Sequence, residues 1–93
     1  MSATVGLEII TPSELFYDGE IESLVCTTTD GEEGFLPGRL WCCKLLGDKG
    51  KARIREKDGV RKTLSIKGGY VEIRDKFVLF TEEASWTERQ KHN

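Results

Sequence analysis

The sequence predicts an all-β domain, a small two-sheet β-sandwich of about eight to ten short strands within its 93 residues. Three observations carry this expectation. Turn signals recur at intervals of roughly eight to twelve residues; apolar and polar residues alternate with period two between them; helical periodicity is missing through most of the length.

The turns fall at Asp18-Gly19, Asp30-Gly31, Pro37-Gly38, Gly47-Asp48-Lys49-Gly50, Lys57-Asp58-Gly59, Gly68-Gly69 and Asp75-Lys76. Glycine there supplies positive φ and aspartate bonds its own backbone. The turns bound strand candidates at 7–11, 15–17, 21–28, 40–46, 51–56, 60–67, 70–74 and 77–81. Ala52 and Ile54 alternate with Arg53 and Arg55, Leu64 and Ile66 with Ser65 and Lys67, and Val71 and Ile73 with Glu72 and Arg74. Such strands bury one face.

Two runs break the alternation. Phe77-Val78-Leu79-Phe80 and Leu40-Trp41-Cys42-Cys43 are apolar at successive positions, which calls for cover on both sides of the pleat. Either these strands lie at the centre of the sandwich or their outer face meets a partner. Lys57-Asp58-Gly59 is the clearest hairpin, since an Asp-Gly pair matches the twist of paired strands. The double glycine Gly68-Gly69 marks a bend where the chain switches sheets or another backbone comes close. Pro37-Gly38 ends a strand, and all four of these residues read as structural turns. Residues 1–86 form the domain, and the polar residues 87–93 read as a frayed tail.

Composition excludes several functions. The formal charge of −2 arises from 14 basic and 16 acidic residues spread along the chain, a pattern of neither a nucleic-acid nor an anionic-lipid surface. No apolar run approaches the ~20 residues of a membrane-spanning helix, and the first residues lack the charged and apolar regions of a signal peptide. The expectation is a cytoplasmic protein without direct membrane insertion. Three cysteines, Cys26, Cys42 and Cys43, are odd in number and read as reduced thiols.

Catalysis is not expected. The single histidine, His92, stands beside the terminus, too poorly held to serve as a base. Cys42 and Cys43 are adjacent, so their side chains point to opposite faces of a strand, and no second pair completes a metal site. No glycine motif cradles a phosphate ahead of a lysine and a helix. The expected catalytic residues, metals and cofactors are none.

The ordered motifs resemble a known family. Leu7-Glu8-Ile9-Ile10-Thr11-Pro12 and Phe16-Tyr17-Asp18-Gly19-Glu20-Ile21-Glu22-Ser23-Leu24 look like the opening of the F-type ATP synthase epsilon family. Thr28-Thr29-Asp30-Gly31-Glu32-Glu33-Gly34-Phe35-Leu36-Pro37-Gly38 is similar to its acidic glycine loop and proline turn. Ser65-Ile66-Lys67-Gly68-Gly69-Tyr70-Val71-Glu72-Ile73 resembles its double-glycine strand pair, and Val78-Leu79-Phe80-Thr81-Glu82-Glu83-Ala84 its closing strand. Where the family continues into His-Ala-Pro-Leu, this chain has Arg39-Leu40-Trp41-Cys42. The family's C-terminal two-helix hairpin is not expected here.

The resemblance implies a non-catalytic central-stalk subunit that couples the gamma subunit to the loops of the membrane c-ring, peripheral to the cytoplasmic side of the cell membrane. It implies c-ring contacts at Asp30, Glu32, Glu33 and Arg39, and gamma contacts at Leu40, Trp41, Glu82, Glu83, Ala84 and Trp86. Tryptophan concentrates interface energy, yet Trp41 reads equally as core, and Trp86 as a gamma contact or as folded back on the sandwich. The alternative is a free-standing β-sandwich protein-binding module.

Overall fold

In the computed structural model residues 3–38 and 41–89 are described, and among them the chain is all-β, with no helix. The strands are β1 Val5–Thr11, β2 Glu14–Thr28, β3 Gly31–Phe35, β4 Cys42–Leu45, β5 Gly50–Glu56, β6 Arg61–Ile66, β7 Tyr70–Ile73, β8 Phe77–Phe80 and β9 Ala84–Arg89. Their hydrogen bonding follows the order β4-β7-β8-β1-β2-β5-β6-β9, with β3 on the second flank of β2. β8 runs parallel to β1, and every other pairing is antiparallel.

Strand β2 creates the two layers. Its first half pairs with β1 and its second half lies between β3 and β5. An extended run of its 15 residues would reach roughly 50 Å. The longest dimension of the chain is 34 Å, so β2 must bend. Register shifts at Ile9/Ile10 and at Ile21/Ser23 are bulges of the kind that bend a strand. One layer is therefore β4, β7, β8, β1 and the start of β2; the other is β3, the end of β2, β5, β6 and β9.

Alternate residues from both layers meet inside. Leu7 and Ile9 of β1, Leu24 and Cys26 of β2, Ile54 of β5, Leu64 of β6, Ile73 of β7 and Phe77 and Leu79 of β8 are fully buried. Thr81 stitches the layers at one end: its Oγ1 accepts from Lys67 N at 2.8 Å and lies 3.0 Å from Lys67 O, while its N–H donates to Ile10 O. At Gly47 the stitch is all backbone, with its N–H donating to Thr27 O and its carbonyl accepting from Gly68 N.

Several sequence expectations are corrected. Asp18-Gly19 is no turn; it lies within β2, opposite Glu8 and Leu7. Gly19 serves clearance instead, because a Cβ there would sit 2.8 Å from the Tyr17 hydroxyl. The segment 31–35, read as loop, is β3, and the strands are not all short. The segment 40–46 contracts to the edge strand β4, so its apolar run does not mark a central strand. Residues 87–89, expected as tail, belong to β9, which pairs with β6; 90–93 lie outside the described residues.

Candidate functional site

The acidic candidates sit together on the β2–β3 hairpin, whose tip is Thr29-Asp30 between paired Thr28 and Gly31. The Thr28 hydroxyl holds the hairpin, donating toward Gly31 O at 2.8 Å and accepting from Asp30 N at 3.0 Å. Asp30 is exposed. Glu32 forms a bidentate pair with Arg53 at 3.0 and 3.3 Å, and Glu33 lies 3.5 Å from Lys44. Arg39 lies outside the described residues, as does Leu40. Gly38, in the following turn, has φ of 81°.

The other candidates do not share one surface. Trp41 leads into β4, 66% exposed, with the Arg74 guanidinium 5.7 Å from its ring; the core reading of Trp41 is excluded. Glu82 and Glu83, in the link between β8 and β9, and Ala84, which opens β9, line a cleft with Thr11, Ser13, Glu14 and Lys67. Trp86, on the opposite edge strand β9, packs on Phe16 at 4.9 Å and on Tyr17 at 5.9 Å. The Lys62 ammonium lies 5.6 Å from the Trp86 ring and 3.2 Å from Glu56. Tyr17 donates to Glu56 at 2.6 Å. Its burial, and then this carboxylate, push the phenol well above its usual range.

A further surface emerges from register. Leu45 pairs with Tyr70, Tyr70 with Phe80, Phe80 with Ile10 and Ile10 with Leu15. These five side chains cross the outer face of the first layer in one row, because Val71, Leu79 and Ile9 beside them point inward. Leu45 is 62% and Leu15 53% exposed, and Tyr70 stacks on Phe80 at 4.8 Å. Pro12 and Gly69 extend the row into an apolar groove of about 290 Å³. Sequence reasoning missed this row because its members are far apart in the chain and alternate with core residues. Phe80, in an unbroken apolar run, signalled it as an apolar residue at an outward position.

No helix among the described residues is long and apolar enough to cross a membrane. Gly68 and Gly69 carry the chain from one layer to the other with φ of 61° and 97°. A Cβ on Gly69 would lie 1.9 Å from Phe80 O, so only glycine lets the two backbones approach.

Comparison with known proteins agrees with this geometry. Residues 4–86 match the family described as ATP synthase, delta/epsilon chain, beta-sandwich domain. The chain is 35% identical over 89 residues to the ATP synthase epsilon chain of Caldanaerobacter subterraneus subsp. tengcongensis, covering 95% of this chain and 64% of that protein. It is 34% identical to the ATP synthase epsilon chain of Alkaliphilus oremlandii, again over 95% of this chain and 65% of that one. The chain thus spans just under two thirds of the length of these relatives. Its fold superposes with a TM-score of 0.84 on a chain in the cryo-EM structure of Euglena gracilis mitochondrial ATP synthase, OSCP/F1/c-ring in rotational state 1. That likeness has 20% identity and covers 92% of this chain and 55% of that one. The extent of the match, the identity of the relatives and the two-layered fold lead to one conclusion: this chain belongs to the ATP synthase delta/epsilon family, of which it carries the β-sandwich domain.

Proposed function

We propose that this protein is a non-catalytic stalk subunit of a rotary ATP synthase, joining the gamma subunit to the loops of the c-ring on the cytoplasmic side of the membrane. The observation that carries the reading is the apolar row from Leu45 to Leu15. A monomeric domain gains nothing from five aligned apolar side chains on an outer face, and such patches mark contact sites. Five adjacent strands span about 19 Å, enough to seat about three turns of a helix laid across them. Trp41 extends the row along β4 toward Arg74. In this reading the row and Trp41 face gamma, and Trp86 holds its own sandwich together. Glu82 borders the row through its groove, and Glu83 and Ala84 line the neighbouring cleft that shares Thr11 and Glu82 with it.

The β2–β3 hairpin then addresses the ring loops through Asp30, Glu32 and Glu33. Exposed ion pairs contribute about 0–1 kcal/mol each, so this end positions the domain and the apolar row holds it. Torque is carried by adhesion, and no bond is made or broken. Support comes from the family itself and from the likeness, at a TM-score of 0.72, to a chain of the Tetrahymena thermophila mitochondrial ATP synthase central stalk/c-ring structure.

The test is capture of the gamma subunit by the full chain, with hydrogen exchange on the complex. Protection is expected on β4, β7 and β8, and Leu45→Asp with Tyr70→Ser should weaken capture at least about tenfold, while Trp86→Ala leaves the contact in place. Gamma binding that both variants retain, with exchange unchanged on those strands, would overturn the reading.

A further inference from the structure

The outer face of the second layer has a different chemistry. Ala52 and Ile54 point into the core, so Lys51, Arg53 and Arg55 between them point outward. Register brings Arg61 of β6 directly opposite Arg55, and Thr63 opposite Arg53. On the other side Ser23 faces Arg55. The result is a cleft of about 330 Å³ whose lining includes Ser23, Arg53, Arg55, Arg61 and Thr63, in a protein whose formal charge is −2.

Like charges directly across a strand pair destabilise a sheet. Neutralisation here is incomplete. Arg53 is matched by Glu32 at 3.0 Å, and Arg55 is reached by Glu22 only at 3.6 Å. Among the side chains described, those of residues 3–38 and 41–87, no carboxylate lies within pairing distance of Arg61. Arg55 thus has one carboxylate at the edge of pairing distance, and the two guanidinium forks are flanked by the hydroxyls of Ser23 and Thr63. A guanidinium offers paired N–H donors at the spacing of phosphate oxygens, and hydroxyls complete such a shell.

We propose that this cleft is a binding site for a phosphate-bearing anion, held between Arg55 and Arg61, with Ser23 and Thr63 as additional donors and Arg53 at its border. The cleft is large enough for a small ligand and lies on the layer opposite the apolar row, so the anion and the stalk partner bind independently. The phosphate comes either from a soluble polyphosphate or from a phospholipid headgroup.

The experiment titrates the full chain at low salt with sodium pyrophosphate, followed by amide and guanidinium NMR, and in parallel with phosphatidylglycerol and phosphatidylcholine vesicles. Shifts confined to Ser23, Arg55, Arg61 and Thr63 are expected, with binding at least about tenfold weaker in Arg61→Gln and intermediate in Arg61→Lys, which keeps charge but loses the fork. Added salt should weaken binding. Response to pyrophosphate assigns a soluble source; response to phosphatidylglycerol vesicles alone, lost in Arg61→Gln, assigns the headgroup. No shift with either probe, or equal binding by Arg61→Gln, overturns the site. A second readout is independent of ligand: relief of the Arg55–Arg61 repulsion should leave Arg61→Gln as stable as the parent or more so. Marked destabilisation would identify the pair as structural and overturn the proposal as well.

Discussion

Single atoms decide several features of this fold. The Thr81 hydroxyl serves both the N–H and the carbonyl of Lys67 from a buried position. Thr81→Val keeps the shape and strands these groups, so it should cost about 1–3 kcal/mol in denaturant unfolding. Gly69→Ala should cost more than about 1 kcal/mol, since φ of 97° and the Phe80 carbonyl both oppose a side chain. That Gly68-Gly69 punctuates the chain was legible in the sequence; the Phe80 carbonyl that makes glycine necessary was not. Cys26 offers a pH test. Burial, with Glu33 and Glu32 adding to it, pushes its thiol up to about 12. A thiol that ionises less readily when folded adds stability that is intact below its unfolded value, near ~8.5, and is lost as pH rises toward the folded one. Unfolding free energy should therefore fall between those limits, and Cys26→Ala should flatten the decline. At neutral pH iodoacetamide should label exposed Cys42 and Cys43 and spare Cys26.

At the scale of elements, periodicity located β1, β5, β6 and β7 to within a residue or two, because each alternates between a core face and an outer face, while β8 was located by its unbroken apolar run between turn signals. It split β2 at Asp18-Gly19, since a strand continuing through an Asp-Gly pair is visible only once the Tyr17 ring is seen lying over the glycine. It also missed β3, whose Glu32 and Glu33 have low strand propensity. Pairing with β2 and the cations Arg53 and Lys44 override that propensity. β9 depends on the cluster of Trp86, Phe16, Tyr17 and Lys62. Trp86→Ala should lower stability by about 1–2 kcal/mol and speed amide exchange in β9 ahead of the rest of the sheet.

The whole molecule joins two layers through one bent strand, and half of its strand pairings, β1–β8, β2–β5, β4–β7 and β6–β9, link distant parts of the chain. Topology of this kind folds on the millisecond-to-second scale, and a domain of this size has a thin stability margin. A partner that covers the apolar row should therefore stabilise the domain, and raise its unfolding temperature, with the logarithm of one plus its concentration over its dissociation constant. Gamma added at about 100 times that constant should contribute about 2.7 kcal/mol; the variant with both Leu45→Asp and Tyr70→Ser, bound at least about tenfold more weakly, should gain about 1.4 kcal/mol or less at the same concentration.

The sequence by itself determined the β class, the turn positions apart from Asp18-Gly19, and the ordered motifs of the family, because alternation and glycine punctuation are local properties of the chain. Which side chains share a surface was decided only by tertiary structure. Leu45, Tyr70, Phe80, Ile10 and Leu15 stand far apart in sequence and become neighbours through strand register. Evenly mixed charges along the chain likewise hid a face where arginines stand opposite one another, since register sorts side chains by pleat and strand partner, and linear spacing records neither.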